Sequence, residues 1–423
     1  MITLTYYGGT MKKLFGNAVV GQSGGPTAAI NATLAGVIRG VLEGVHDGCI
    51  NTLYGMRHGV EGLLAEDLVN LNDVFDTEEK LKNLENTPAA ALGSCRKKLP
   101  DPEKDTETFE RLLAIFQKYD IRYFFYIGGN DSMDTVAKLS AYTKDHDYEM
   151  RVIGVPKTID NDLVVTDHTP GFGSAAKYIA TTMLEIIRDC AVYTTKAVTI
   201  VEIMGRDAGW LTASAALGRA VYGIGPDLVY LPEGSFDMNS FFTDVRAALE
   251  KHPNVVVAVS EGIRFADGTY VGEGTQSGVA DVFGHKYLSG TGKALELAVK
   301  EELGCKVRSV ELNICQRCAA HITSKTDITE SVLVGREAVR AASEGVTRQM
   351  MTILRSAGEQ YSVEIGHSDV SEIANKIKKV PQEYINASGN DVTPSCLEYL
   401  LPLIKGENVV EYVDGLPKHF LIF

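Results

Sequence analysis

Lys157, Thr158, Asp160 and Asp162 fall within six positions of the run Val155-Pro156-Lys157-Thr158-Ile159-Asp160-Asn161-Asp162. That mixture suits phosphoryl transfer. One carboxylate can take a proton from an attacking hydroxyl, a second can face a metal ion, and a lysine can hold phosphate oxygens. The same residues also suit a polar turn, because Asp and Asn are common turn formers.

Two other loops share this potential. In Gln22-Ser23-Gly24-Gly25-Pro26-Thr27, backbone N–H groups can approach phosphate oxygens closely because Gly24 and Gly25 carry no side chain. Taken alone, that loop is better read as a plain tight turn, and it lacks the Lys-Ser/Thr of a Walker A motif. Gly128-Gly129-Asn130-Asp131-Ser132 has a similar build with a carboxylate added. A carboxylate beside a phosphate repels it unless a metal or a lysine lies between. Asp131 or Ser132 also suits the cap of a following helix.

The elements around these loops must bring them together. Residues 121–127 are an almost unbroken apolar run, as expected of a strand buried on both faces. Further strands are expected at 15–21, 151–155, 197–203, 227–231, 254–260 and 307–315. Helices are expected at 28–41, 133–142, 174–190, 238–251, 292–302 and 329–345. This alternation predicts an α/β protein with mostly parallel sheets, in which loops at the carboxyl edge bind ligands. No short repeat and no low-complexity tract interrupts it.

At 423 residues the chain has room for two or three domains. Its formal net charge of −14 argues against nucleic acid or an anionic membrane as a partner. No apolar run is long enough for a transmembrane helix, and no signal-peptide pattern opens the chain, so a cytoplasmic protein is expected. Residues 1–10 read as an extension. The seven cysteines are scattered and predict free thiols. Cys315-Gln316-Arg317-Cys318 is formally a CxxC, but with only His321 nearby it is read as a buried strand end rather than a zinc site.

Taken in order, residues 22–31, 128–132 and 156–162, then Met204-Gly205-Arg206, Ser260-Glu261-Gly262 and Gln316-Arg317, resemble the phosphofructokinase family. The resemblance spans roughly residues 14–345. It is strongest to the pyrophosphate-dependent branch, which phosphorylates fructose 6-phosphate reversibly at its 1-hydroxyl. ATP-dependent members usually carry glycine where this chain has Asp131 and Lys157. Glycine leaves room for the rest of the nucleotide. Aspartate would clash with it, and lysine can pair with pyrophosphate instead.

The resemblance also implies roles. Asp160 would be the general base, with Lys157, Thr158 and Arg206 completing the catalytic set. Gly24, Gly25, Arg96, Gly129, Asp131 and Lys157 would hold the donor. Met204, Gly205, Arg206, Glu261, Arg308 and Arg317 would hold the sugar phosphate together with Thr158 and Asp160. Asn130, Asp131 and Asp162 would face Mg²⁺. Arg308 matches an arginine that comes from a neighbouring subunit, so a homodimer or homotetramer with a shared site is expected. Read without the family, Arg96 and Arg308 suit surface ion pairs, Glu261 a cap and Met204 ordinary core.

The chain departs from the family at three places. Asn130 replaces the usual aspartate, Ala197 stands where a second arginine is expected (Lys196 is adjacent), and Ile314 replaces a histidine common in ATP-dependent members. The implied fold is two Rossmann-like domains with the site in their cleft. Residues 1–172 plus 318–395 would form the donor domain and 173–317 the sugar domain, with 396–423 as a C-terminal segment. An ATP-dependent 6-phosphofructokinase, a kinase of another sugar phosphate such as sedoheptulose 7-phosphate, and a non-catalytic regulatory subunit are the alternatives.

Overall fold

The apolar runs become the inner strands of two sheets. The structure is a computed structural model that describes residues 13–273, 290–358 and 360–420. The expected extension at 1–10 lies outside them. In chain order the strands of these two sheets are β1 (Gly16–Gln22), β2 (Ile50–Met56), β3 (Leu68–Asn70), β4 (Ile121–Gly128), β5 (Arg151–Pro156), β6 (Ala197–Ile203), β7 (Leu228–Tyr230), β8 (Asn254–Ser260), β9 (Lys306–Glu311), β10 (Gln349–Arg355) and β11 (Val363–Asp369).

The larger sheet has the order β11-β10-β5-β4-β1-β2-β3, and the smaller β7-β8-β6-β9. All pairings in the smaller sheet are parallel. Only the outer pairs of the larger sheet, β2–β3 and β10–β11, are antiparallel. β4 shows why its sequence lacks alternation. Tyr123, Phe125 and Ile127 enter the core on one face, while Phe124 and Tyr126 enter the core on the other. Among the described residues no helix is long and apolar enough to cross a membrane.

Helices Ile30–Leu42 and Lys325–Ser343 cover one face of the larger sheet and pack closely on each other. A Cβ on Gly36 would lie 2.1 Å from the carbonyl oxygen of Val332, so only glycine permits this approach. Residues 380–403 join a different core. Val380, Ile385, Val392, Cys396, Leu400 and Leu403 pack with the apolar face of helix Phe172–Cys190 beside β6.

Two expectations need correction. The strand expected at 307–315 ends at Glu311, because the chain turns through Asn313 at φ 43° and closes a helical turn at Cys315–Cys318. Cys315 and Cys318 are accordingly exposed rather than buried at a strand end.

A buried ion cluster fixes the loop after β5 to helix Lys325–Ser343. His168 Nδ1 lies 2.8 Å from Asp167 Oδ2, and Nε2 lies 2.6 Å from Glu330 Oε2. Arg355 also pairs with Asp167, and the Tyr361 hydroxyl donates to Glu330. Burial alone would lower the imidazole pKa, but the bonds to both carboxylates outweigh it and raise the pKa above its ordinary 6.5. A raised native pKa contributes stability in full below the unfolded value and loses it as pH rises through the native one. His168→Phe is expected to cost up to about 3–5 kcal/mol at acid pH, because the buried Glu330 and the partly buried Asp167 each lose a charged partner. Urea midpoints of wild type and variant should differ more near pH 6 than near pH 9. An equal difference at both would show that the imidazolium charge does no work.

Candidate active site

Parallel strands deliver the chemistry-bearing loops to one place. β1, β4 and β5 of the larger sheet and β6, β8 and β9 of the smaller end at a common cleft of about 800 Å³. Strand order reverses at β1 and β4, since β1 leads on to β2 on one side and β4 to β5 on the other. Crevices at such reversals are the usual ligand sites of open α/β sheets.

The donor side is built from short side chains around one sunken cation. Gly24 adopts φ +77°, and a Cβ there would lie 3.2 Å from Lys157 Nζ. Lys157 is 4% exposed, and its Nζ donates to the carbonyl oxygen of Gly25 at 2.8 Å. Burial lowers its pKa to about 8, against the opposing pull of Asp160 and Asp162. Gly129 precedes helix Asn130–Asp145 and leaves that helix's N-terminus open to the cleft, a favourable place for an anion. Asp131 pairs with Lys98 at 2.8 Å. Lys98 is thus the cation that the acidic residue of this loop requires.

Asp160 and Asp162 flank a turn held in an unusual conformation. Asn161 between them has φ +53° and is fully buried. Its side chain accepts from Lys378 Nζ at 3.0 Å and donates to the Tyr399 hydroxyl at 3.2 Å. The Thr158 hydroxyl accepts the Asp160 N–H at 3.1 Å. Burial, followed by the charge of Asp162, pushes the Asp160 carboxyl above the usual carboxylate range. Burial also raises Asp162, although Lys157, Lys378 and hydrogen bonds oppose it. A carboxylate raised in this way is a stronger proton acceptor than a solvated one.

The facing side comes from the smaller sheet. Gly205 at φ +135° turns the chain after β6, and its N–H donates to Glu261 Oε1 at 3.3 Å. Burial pushes Glu261 up to about 8. The N–H of Met204 donates to the buried Gln316 side chain at 3.3 Å, which ties Met204 to the turn carrying Arg317. Arg206 and Arg317 both line the cleft, and Arg317 lies beside Gly25.

Nearly every residue singled out in the sequence lines this cleft; Gly205 and Arg308 do not. Gly205 acts through its backbone. Arg308 sits midway along β9 and borders a separate pocket of about 110 Å³ with Lys306, Tyr193 and Asn254. Asn130, expected to face a metal, lines the cleft and also has protein partners for its amide. Its Oδ1 accepts the Asn375 N–H at 2.8 Å and its Nδ2 donates to the Lys376 carbonyl at 2.7 Å, so both amide atoms are engaged.

Sequence reasoning passed over Lys98, Lys378 and Glu202, and gave Gln316 no role of its own. Lys98 and Lys378 lie in polar stretches without periodicity. Glu202 did leave a signal, as the lone acid in the apolar strand Ala-Val-Thr-Ile-Val-Glu-Ile. It lines the cleft, receives the N–H groups of Gly290 and Gly292, and is raised by burial to about 7.

Comparison with known proteins identifies the family and the fold. Residues 17–342 fit the family described as Phosphofructokinase. The chain is 41% identical over 404 residues to the pyrophosphate–fructose 6-phosphate 1-phosphotransferase of Halomonas elongata, covering 95% of both chains. It is also similar to the pyrophosphate-dependent phosphofructokinase structure from Nitrosospira multiformis, with TM-score 0.86 and 38% identity over 96% of each chain. The corresponding structure from Marinobacter aquaeolei gives TM-score 0.84 and 38% identity, over 96% of this chain and 95% of that one.

Proposed function

The chain belongs to the phosphofructokinase family, and from that premise we propose that it transfers a phosphoryl group reversibly from pyrophosphate to the 1-hydroxyl of fructose 6-phosphate. One observation carries the choice of donor. Lys157 fills the space beside Gly24 and Gly25, while Asp131 and Lys98 stand together at the cleft wall. Two linked phosphates suit such a pocket, and a nucleotide has to pass those side chains.

In the forward direction Asp160 takes the proton of the 1-hydroxyl as the new O–P bond forms. The anhydride P–O bond breaks and inorganic phosphate leaves. Lys157 and Arg206 offset charge on the oxygens of the transferring group. Thr158 holds the turn through its bond to the Asp160 N–H. Glu261 and Met204 contact the sugar, and Arg317 binds its 6-phosphate with a forked donor set. The reverse reaction uses the same groups, with Asp160 returning the proton.

The residues present fit Mg²⁺ carried largely by the donor. Among the described residues no cluster of three or more metal-binding side chains exists. Mg²⁺ commonly takes one or two carboxylates, with substrate phosphates and water completing its shell. Asp162, with a burial cost that a cation would relieve, and Asp131 are the carboxylates for that role; Asn130 is left out of it. When bound, the ion would neutralise charge on the donor oxygens.

Arg308 supports a shared site. It lies outside its own chain's cleft, on the outermost strand of the smaller sheet, near the exposed Val192 and Tyr193. We assign it to a partner subunit's 6-phosphate, which requires at least a dimer. A fully active monomer in analytical ultracentrifugation would exclude this. The free state of all seven cysteines supports a reducing, cytoplasmic location. We further place the division into two lobes near residue 172, with residues 380–403 grouped with the smaller sheet because their apolar side chains pack there.

Initial rates with fructose 6-phosphate and Mg²⁺ test the proposal. Turnover with pyrophosphate and little with ATP is expected. A preference for ATP would replace this reading with the ATP-dependent kinase. Turnover of neither donor would point to another sugar phosphate or to a non-catalytic subunit.

A further inference from the structure

Residues 375–380 form a strap along the cleft floor that no periodicity in the sequence announces. It is held from four separate loops. Asn130, after β4, clips Asn375 and Lys376. The carbonyl oxygen of Asp162, after β5, accepts the Lys378 N–H at 2.8 Å. Trp210 Nε1 donates to the Lys378 carbonyl at 2.9 Å. Glu233, after β7, accepts the Val380 N–H at 2.9 Å and the Gly209 N–H at 2.8 Å.

The side chain of Lys378 faces the loop that carries the two aspartates. Its ammonium has three N–H donors and meets three oxygens: Asn161 Oδ1 at 3.0 Å, the Thr166 carbonyl at 3.2 Å and the Asp167 carbonyl at 2.7 Å. The Trp210 ring lies 5.4 Å from Nζ. Burial lowers the lysine's pKa to about 8, while Asp167 and Asp162 pull it back toward the charged form. Asn161 is the residue at φ +53°, and its amide oxygen is held by this lysine. A left-handed residue persists where its surroundings over-determine it.

We infer that Lys378 is a positioning residue for the reaction: it locks the Asp160-Asn161-Asp162 turn so that the base and the second carboxylate are held in fixed positions. Its side chain is not among those lining the cleft. The inference rests on the reading of Asp160 as the base. It also gives the departure at position 130 a physical reason. Asparagine can accept from Asn375 and donate to Lys376 at once, whereas an ionised aspartate cannot donate.

Lys378→Met tests this in the full-length enzyme, with Asp160→Asn measured beside it. The variant should fold and bind both substrates with KM within about twofold of wild type, while kcat falls about 100-fold in both directions, the scale of loss when a reacting group is misplaced by an ångström. A kcat within about threefold of wild type, or a raised KM with kcat intact, overturns the inference. If Lys378→Met is active while Asp160→Asn is inactive, the base assignment stands alone; an active Asp160→Asn removes that assignment instead. Should Lys378→Met fail to fold, Trp210→Phe deletes one bond to the strap and keeps a ring beneath the ammonium. A kcat lowered several-fold at constant KM then supports the inference, and a wild-type kcat overturns it.

Discussion

Asp160→Asn is expected to lower kcat about a thousandfold in both directions, with little change in KM for fructose 6-phosphate. Asparagine keeps the size of the side chain but takes no proton at neutral pH. General base catalysis is worth about 10²–10⁴-fold. Here the buried setting and the neighbouring Asp162 raise the carboxyl's basicity, so a loss well above the lower end of that range applies. The proton removed in the forward reaction must return in the reverse, so both directions should fall together. Substrate binding should persist, because asparagine keeps the side chain's size and Met204, Arg206, Glu261 and Arg317, which follow strands of the smaller sheet, stay in place. Steady-state kinetics in each direction provide the check. A variant that kept even a tenth of wild-type kcat in either direction would remove Asp160 from the role of base.

Asp131→Gly combined with Lys157→Gly is expected to reduce kcat/KM for pyrophosphate by about 10- to 150-fold and to admit measurable ATP turnover. Lys157 is a buried cation beside the glycine loop, and its bond to a phosphate oxygen is charge-assisted, worth about 1.5–3 kcal/mol. Losing it weakens the donor and opens volume in the same act. Asp131→Gly alone should do less for pyrophosphate, because it removes a negative charge that Lys98 already offsets. It should nevertheless be required for ATP, since its carboxylate would repel the additional phosphate. Donor competition assays on both single variants and the double variant separate these effects. Unchanged pyrophosphate kinetics in the double variant would show that neither side chain gates the donor.

The parts of this molecule that were legible in the sequence share one cause. Strands buried on both faces write continuous apolar runs, and β4, β5, β6 and β8 appeared at or within a residue of their true bounds. Each is followed by a polar or glycine-rich loop, so the catalytic loops could be read from the point where the apolar run stops. β9 shows the limit. As an outer strand it is only partly buried along Lys306–Glu311, and nothing in its composition separates it from the turn that follows. The hairpin of β10 and β11 was missed for a related reason, since β11 is half exposed and carries mixed polarity. The strap was illegible altogether. Its work is done by backbone groups and one lysine whose acceptors lie more than 200 residues away. Asn130 was read through the family's aspartate, and only the three-dimensional arrangement shows what its amide contacts.

The place of β5 in its sheet has a consequence for how the protein is made. β5 is wedged between β4, which precedes it closely, and β10, which lies about two hundred residues downstream. During synthesis its outer edge stays unpaired until the whole smaller sheet has been translated. Every residue of β5 is buried in the finished molecule, so this is a long-lived adhesive edge on a nascent chain. The turn carrying Asp160 begins just beyond it and receives Lys378 later still. Chains truncated before β10 are therefore expected to be inert and to aggregate, and a chain stalled in the smaller sheet is expected to need chaperones rather than to act as a half-active enzyme.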